Sequence, residues 1–221
     1  MTEDFTALTD RLASPDTGLE AALWVPLMRL LSQGDPVDIA DLAAAAGRTI
    51  PEVRAALAAV PDTEYDGEGR IIGQALTLRP TQHRFEVNGK QLYTWCALDT
   101  LIFPALLGAT ARVESACHAT GVPILLSSGA GNVTGVQPAT AVVSLINPED
   151  MSSIRSAFCN QVHFFASAET AQPWLDANPD GSVVPIAEAL RLGTAMAGSL
   201  LHETPPAQRT LQGKGMHGCA C

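Results

Sequence analysis

Apolar residues recur at helical spacing in the N-terminal part of the chain. Between Leu19 and Leu31 they lie three or four positions apart, and Gly34 ends the pattern. An alanine-rich second helix is predicted over residues 38–46. A third is predicted to run from Thr49, a residue suited to capping a helix, to about residue 60. The sequence therefore predicts three short helices in succession.

The pattern then changes to one typical of β-structure. Residues 70–78 read as a strand. Residues 83–87 and 90–93 flank Asn88-Gly89, a pair that favours a tight hairpin turn. Three helices followed by such strands are typical of a winged-helix module. Modules of this kind either bind DNA or serve as packing units inside enzymes, and the acidity of this chain favours the packing role.

Helices and strands alternate in the remainder of the chain. The predicted elements are a helix over 97–107 interrupted at Pro104, strands at 111–116, 123–127 and 141–146, a helix over 148–158, a buried strand at 163–166, and helices over 169–177 and 186–202. The segment 205–221 is rich in Pro, Gly, Gln and Lys, which predicts a flexible tail.

Composition and charge narrow the classes of function. The chain has 221 residues, of which 47% are hydrophobic, and its formal net charge is −10. That charge disfavours nucleic acid, whose binding depends on Lys and Arg, and it equally disfavours anionic membrane surfaces. We find no apolar run long enough to span a membrane and no secretion signal, so we expect a cytoplasmic protein.

The chain contains five cysteines, an odd number that does not suggest a disulfide framework. Cys96 and Asp99 are three residues apart, so on a helix they would share one face. If Cys96 lay in the first helical turn, free N–H groups would stabilise its thiolate, and Asp99 beside it would be a reasonable proton shuttle. Spacing alone equally allows a buried core cysteine and an ordinary first-turn acid.

A second candidate, Cys159, lies between a predicted helix and a predicted buried strand. Its alternative is again a buried free thiol, next to aromatic residues. His163, within the strand, is more typical of a structural histidine than of a ligand. Cys117 ends a strand with no acid nearby, and we interpret it as structural.

Two longer motifs around these cysteines resemble those of a known family. The stretch YTWCALDTLIFPALLG, residues 93–108, and the later FC-x-x-VHFFAS, which begins at Phe158, resemble the organomercurial (alkylmercury) lyase family. The likeness extends from about residue 23 to residue 201. It implies that Cys96 and Cys159 are the catalytic cysteines and that Asp99 is the catalytic aspartate. These three residues would also be the mercury ligands.

The resemblance also implies an α+β fold, in which an N-terminal winged-helix-like region (residues 1–80) packs on a mixed α/β core with an antiparallel sheet (residues 81–204). The expected reaction is protonolysis of a carbon–mercury bond in alkyl- or arylmercury compounds. Mercury is then substrate and product, and no organic cofactor is required. External thiols would support turnover, with cellular thiols and a mercuric reductase as acceptors of Hg(II).

Two features depart from the family pattern. Some relatives have a second cysteine directly after the position of Cys159, and this chain has Asn160 there, so a vicinal thiol is absent. The chain ends with Cys219 and Cys221 in a C-x-C pair. That pair either chelates a soft ion or is an inert terminus, and the sequence leaves both interpretations open.

Two other classes of function compete with a lyase. In a thiol-based metal-binding protein or metalloregulator, Cys96 and Cys159 would sequester a metal and the winged helix would bind DNA. Sequestration needs thiolates but no proton donor, so the acid at Asp99 argues against it. A cysteine hydrolase with Cys96 as nucleophile and His163 as base would need an oxyanion hole, for which we find no sequence signal.

Overall fold

The computed structural model describes residues 8, 11–12, 18–129, 131–150 and 152–203. The α-helices are α1 (Ala21–Leu31), α2 (Ile39–Ala46), α3 (Ile50–Ala58), α4 (Asp99–Leu107), α5 (Ile154–Ala157), α6 (Ala168–Ala177) and α7 (Ile186–Glu203), and a 3₁₀ helix spans Cys159–Gln161. The strands are β1 (Glu64–Tyr65), β2 (Ile71–Gln74), β3 (Leu76–Thr77), β4 (His83–Val87), β5 (Lys90–Thr94), β6 (Ala111–Ala116), β7 (Pro123–Ser128), β8 (Val133–Gln137), β9 (Val142–Leu145), β10 (Phe164–Phe165) and β11 (Ser182–Pro185). The predicted tail, with Cys219 and Cys221, lies outside the described residues.

The strands form two antiparallel sheets. The larger has the order β1-β2-β3-β5-β4-β6-β7-β8, and the smaller has the order β10-β9-β11. Strands β1 to β3, which belong to the predicted N-terminal region, join the large sheet through the pairing of β3 with β5. The predicted α+β class with an antiparallel sheet is confirmed.

The three N-terminal helices form where the apolar spacing predicts them. Thr49 caps α3 through a reciprocal hydrogen-bonding pattern with Glu52, and Gly47 ends α2 in the left-handed conformation with φ of 66°. The predicted hairpin is also confirmed. Asn88 and Gly89 join β4 to β5 with φ values of 52° and 73°, the positive angles that this tight turn requires.

The predicted single strand over residues 70–78 is wrong. The chain forms β2, reverses at Ala75 with φ of 72°, and returns as β3. The Ala75 carbonyl accepts a hydrogen bond from the Trp95 N–H at 2.9 Å, so a contact distant in sequence stabilises a turn that carries no glycine signal. Gly73 is required beside this turn, because a Cβ there would overlap the side chains of Glu64 and Thr77.

The helix predicted over residues 148–158 is much shorter in the structure. Helix α5 spans only Ile154–Ala157, and residues 148–150 are not helical. Asp62 accepts hydrogen bonds from the Ser153 hydroxyl at 2.9 Å and from the Arg155 N–H at 3.1 Å. This side chain, brought in from the N-terminal part of the chain, holds the beginning of α5. Strands β1, β8 and β11 were not predicted, and Pro104 lies inside α4 without ending it.

Helix α4 is largely buried, with seven of its nine residues enclosed in the core. It packs against α7, and a Cβ added at Gly193 of α7 would lie 3.1 Å from Ile102 Cγ1 of α4. Helix α1 packs against both. The N-terminal end of α4, where Asp99 lies, is thereby buried between the large sheet and two long helices. None of the described helices is long and apolar enough to cross a membrane.

Candidate active site

Cys96 lies in the short connection between β5 and α4. Two threonines fix the backbone of this connection: Thr94 donates its hydroxyl to the Cys96 carbonyl at 2.9 Å, and Thr100 donates to the Ala97 carbonyl at 2.7 Å. Helix α4 begins at Asp99, so Cys96 precedes the first turn. The prediction that Cys96 lies in the first helical turn is therefore wrong. The N–H of Asp99, the first residue of α4, nevertheless hydrogen-bonds to the Cys96 sulfur and favours its thiolate.

The Asp99 carboxylate contacts the backbone of Cys96. The Cys96 N–H donates to Asp99 Oδ2 at 3.0 Å, so the carboxylate folds back from the helix over the connection. The Cys96 thiol also hydrogen-bonds to this carboxylate. The C-x-x-D spacing brings its two side chains together, but through a helix-entry loop rather than along one helical face.

Cys159 approaches from a different part of the chain. It is the first residue of the 3₁₀ helix that links α5 to β10, which agrees with its predicted place between a helix and a buried strand. The Ala97 N–H donates to the Val162 carbonyl at 3.2 Å. The two cysteine-bearing segments are thus joined by a backbone hydrogen bond beside the site.

Cys96, Asp99 and Cys159 form one buried cluster. Their sulfur and carboxylate atoms all lie within 4.8 Å of one another. Among the His, Cys, Asp and Glu residues that the structure describes, this is the one group of three placed to share a metal ion. The three residues predicted as the site are brought together. Two thiols and one carboxyl are ligands suited to a soft, thiophilic metal and to moving a proton beside it.

Burial controls the protonation of the cluster. Desolvation raises the pKa of Asp99 to about 7, although hydrogen bonds from Cys96 and Trp95 act to lower it. Desolvation also raises the pKa of Cys96 well above its ordinary value, with Cys159 and the Asp99 charge acting in the same direction. A buried site of this kind disfavours ionising several acids at once.

The pKa of Cys159 reflects opposing effects. Its hydrogen bond with Cys96 lowers the pKa, but desolvation and the charge of Asp99 outweigh that contribution. Asp62 raises it further and Arg155 lowers it, and the net shift is upward. Both thiols therefore hold their protons at neutral pH until a cation arrives or a base accepts the proton.

The cluster opens into a cavity of about 250 Å³. Asp99 and Cys159 lie on its wall, and most of the remaining lining is apolar. The apolar side chains come mainly from α1, α4, α5 and α7, and they include Leu19, Trp24, Ile102, Ile154, Met196 and Leu200. The cavity can therefore hold a small apolar group directly against the Cys159 thiol and the Asp99 carboxyl.

A charged side chain that the sequence did not reveal, Arg155, borders the site. The Arg155 guanidinium lies over the Trp95 ring, with Cζ 4.6 Å from the ring centre, and its Nη1 donates to Glu64 Oε1 at 2.5 Å. Thr77 donates its hydroxyl to the other oxygen of Glu64. These contacts join β1, β3 and α5 around Trp95. They connect residues far apart in sequence, so no local pattern marks them.

The remaining candidates lie elsewhere. Cys117 is not part of the cluster, and its sulfur accepts a hydrogen bond from the Ala166 N–H at 3.3 Å. His163 stacks on His118 at a ring-centre distance of 3.7 Å and is also outside the cluster, which gives no support to its role as a base for Cys96. Cys219 and Cys221 fall outside the described residues.

Comparisons with known proteins agree on one family. Residues 76–198 match the family described as alkylmercury lyase, and residues 5–75 match the helix-turn-helix domain of alkylmercury lyase. An alkylmercury lyase of Streptomyces lividans is 54% identical over 205 residues, which cover 90% of this chain and 95% of the relative. One from Staphylococcus epidermidis is 50% identical over 184 residues, covering 83% and 85% respectively.

A solved structure shares the fold. The crystal structure of the mercury-bound form of MerB2 superposes with a TM-score of 0.70 and 24% sequence identity, covering 89% of this chain and 97% of that one. The N-terminal helical region and the sheet-containing core are thus both parts of a known architecture.

The raised pKa of Asp99 predicts a carboxyl that titrates near neutral pH. In the folded protein, one aspartate signal followed by ¹³C NMR should titrate with a midpoint of about 7, because burial favours the neutral acid. The signal should be absent from Asp99→Asn. Aspartates that all titrate below about pH 5, near their usual range, would contradict the prediction.

Proposed function

Since the chain belongs to the alkylmercury lyase family, we propose that it cleaves the carbon–mercury bond of alkyl- and arylmercury compounds by protonolysis. The products are the hydrocarbon and Hg(II). The observation that supports this most directly is the buried cluster of Cys96, Asp99 and Cys159, with its atoms within 4.8 Å of one another. Two soft ligands and a proton-carrying group are what the reaction needs, and a largely apolar cavity adjoins them.

The thiols act on the metal. Mercury is soft and thiophilic, so sulfur displaces the oxygen or halide ligands of an incoming R–Hg⁺. One cysteine captures the metal, and its proton leaves with the displaced ligand. The second cysteine then loses its proton to Asp99 and adds electron density to the same metal. The Hg–C bond weakens as a result, and the carbon acquires carbanion character.

Asp99 moves the proton. Its carboxylate accepts the proton that a cysteine loses on binding mercury, and it then delivers that proton to carbon. The electron pair of the Hg–C bond stays with the carbon and forms the new C–H bond, while Hg(II) remains on Cys96 and Cys159. A general acid placed in this way typically accelerates a reaction about 10²–10⁴-fold. A pKa of about 7 suits both halves of the transfer.

The reaction so written uses no organic cofactor. Hg(II) leaves by ligand exchange, in which external thiols take the place of the two cysteines. We propose cellular thiols and the cysteines of a mercuric reductase as the acceptors, and the cytoplasm as the compartment. The residue after Cys159 is Asn160, which is exposed and carries no thiol, so the buried cluster contains two thiols.

A metalloregulator remains the alternative from another class. The helix-turn-helix region matches the corresponding domain of the lyase family itself, so its presence does not favour DNA binding. A net charge of −10 also opposes binding to nucleic acid. The proton-carrying Asp99 inside the thiol cluster has no use in sequestration, and it favours the lyase.

The first test of the function replaces the thiols. Purified protein incubated with methylmercury and excess thiol should release methane, measured by gas chromatography. Cys96→Ala and Cys159→Ala should each lower turnover by several orders of magnitude, because one thiol cannot both capture and activate the metal. Cys117→Ala, the control, should affect mainly stability. Near-normal turnover by Cys159→Ala would exclude the two-thiol mechanism.

The second test separates binding from proton transfer. Asp99→Asn keeps both thiols, so it should still bind the organomercurial but fail to protonate the carbon. Mass spectrometry of the intact variant should then detect a retained R–Hg adduct. If the variant instead carries Hg²⁺ without R, formed at the wild-type rate, Asp99 is not the proton donor.

The third test concerns the terminal C-x-C pair. We propose that Cys219 and Cys221 accept Hg(II) from the site or capture R–Hg⁺ for it. The last helix supplies Met196 and Leu200 to the cavity wall and ends at Glu203. If the chain from Glu203 to Cys219 behaves as a random coil, it spans about 20–24 Å. A dithiol tethered in this way has an effective concentration in the millimolar range.

Truncation after Pro206 should therefore leave single-turnover cleavage intact and slow multiple turnover when external thiol is scarce. High external thiol should restore the rate, because it replaces the tail in ligand exchange. Turnover measured across a thiol titration provides the check. Equal rates for truncated and full-length protein at every thiol concentration would show that the tail has no role.

A further inference from the structure

Ser144 is a fully buried residue of β9 whose hydroxyl has two backbone partners in the segment after Cys159. Its Oγ donates to the Gln161 carbonyl at 2.9 Å and accepts the His163 N–H at 2.8 Å. Its own N–H donates to the His163 carbonyl at 3.0 Å. One side chain thus holds the backbone on both sides of Val162.

The segment held by Ser144 is the one that places the second thiol. Cys159 begins the 3₁₀ turn, whose closing bond runs from the Val162 N–H to the Cys159 carbonyl at 3.3 Å. The Val162 carbonyl in turn accepts the Ala97 N–H, next to Cys96. Contacts therefore lead from Ser144 through the turn to both cysteines.

The other end of this segment has a separate anchor. Asp62 holds Ser153 and the beginning of α5, several residues before Cys159. The turn itself, which is closest to the thiol, is held by the Ser144 hydroxyl and by the His163 ring, which hydrogen-bonds to the Asn160 backbone. Losing that hydroxyl would leave a buried carbonyl and a buried N–H without their partner.

We propose that Ser144 is a positioning residue that keeps the Cys159 sulfur within bridging distance of Cys96, so that both thiols can bind one mercury atom. The proposal rests on the two-thiol function given above. Ser144 itself does not touch the metal. It acts through the geometry of the turn, and displacements of about 1 Å at a reacting centre can cost about 10²-fold in rate.

The test compares Ser144→Ala with Ser128→Ala. Ser128 of β7 is equally buried, but its hydroxyl has no hydrogen-bond partner, so its loss removes a buried hydroxyl without releasing a turn. All proteins, including the wild-type reference, carry Cys219→Ser and Cys221→Ser, so that the tail does not supply ligands. Each receives one equivalent of mercuric chloride, and mercury X-ray absorption counts the sulfur neighbours of the metal.

Wild type and Ser128→Ala should show two sulfur neighbours, and Ser144→Ala should show one, with an oxygen or halide in place of the other. The kcat for methylmercury should fall about 10–100-fold in Ser144→Ala. Its KM should change little, since capture needs only one thiol. A purely structural role would lower the melting temperature of Ser144→Ala and leave two sulfurs on mercury and kcat unchanged. That result would overturn the proposal.

Two further outcomes are distinguishable. If wild type itself binds mercury through one sulfur, the proposed two-thiol function fails, independently of Ser144. If Ser144→Ala does not fold, Ser144→Thr replaces it, because threonine keeps the hydroxyl and suits a strand. Ser144→Val, which has the shape of threonine without its hydroxyl, is the comparison. Two sulfur neighbours in Ser144→Thr and one in Ser144→Val would support positioning by the hydroxyl, and the same sulfur count and kcat in both would overturn it.

Discussion

The electrostatic cost of burying three acids together is the constraint on which the rest of the site depends. Cys96, Cys159 and Asp99 have their acidic atoms within 4.8 Å and almost no contact with solvent. Desolvation raises the pKa of all three groups, so the free site cannot carry several negative charges. An incoming R–Hg⁺ reverses this balance, because its positive charge compensates the thiolates as they form. Of the two thiol protons, one leaves with the displaced ligand and the other stays inside the site on Asp99.

The fold meets this constraint by bringing together segments that are distant in sequence. Cys96 and Asp99 enter from the large sheet and α4, and Cys159 enters from the connection into the small sheet. The hydrogen bond from Ala97 to Val162 joins the two segments, and Arg155 over Trp95 covers one side. Helices α1 and α7 complete an apolar wall. The N-terminal region therefore contributes to the cavity and is not an independent appendage.

Sequence patterns predicted the elements whose signals are local. The Asn88-Gly89 turn and the Thr49 cap are examples, because the residues that stabilise each feature are neighbours in the chain. The predictions fail where contacts between residues distant in sequence determine the local structure. The reversal at Ala75 depends on Trp95, and the late start of α5 depends on Asp62, and neither partner is visible in a local window.

The same distinction applies to the site. Spacing alone did not separate Cys96 and Cys159 from buried core thiols, and the resemblance of two motifs supplied their assignment. Glu64, Arg155 and Ser144 act through partners far along the chain, so their place near the thiols emerges only when the chain is folded. For Cys96, the sequence predicts the contact but not its geometry. The C-x-x-D spacing correctly predicts proximity to Asp99, but the carboxylate meets Cys96 in a loop before the helix. There it accepts the Cys96 N–H, so the acid that lies nearest to the thiol also fixes the loop that presents it.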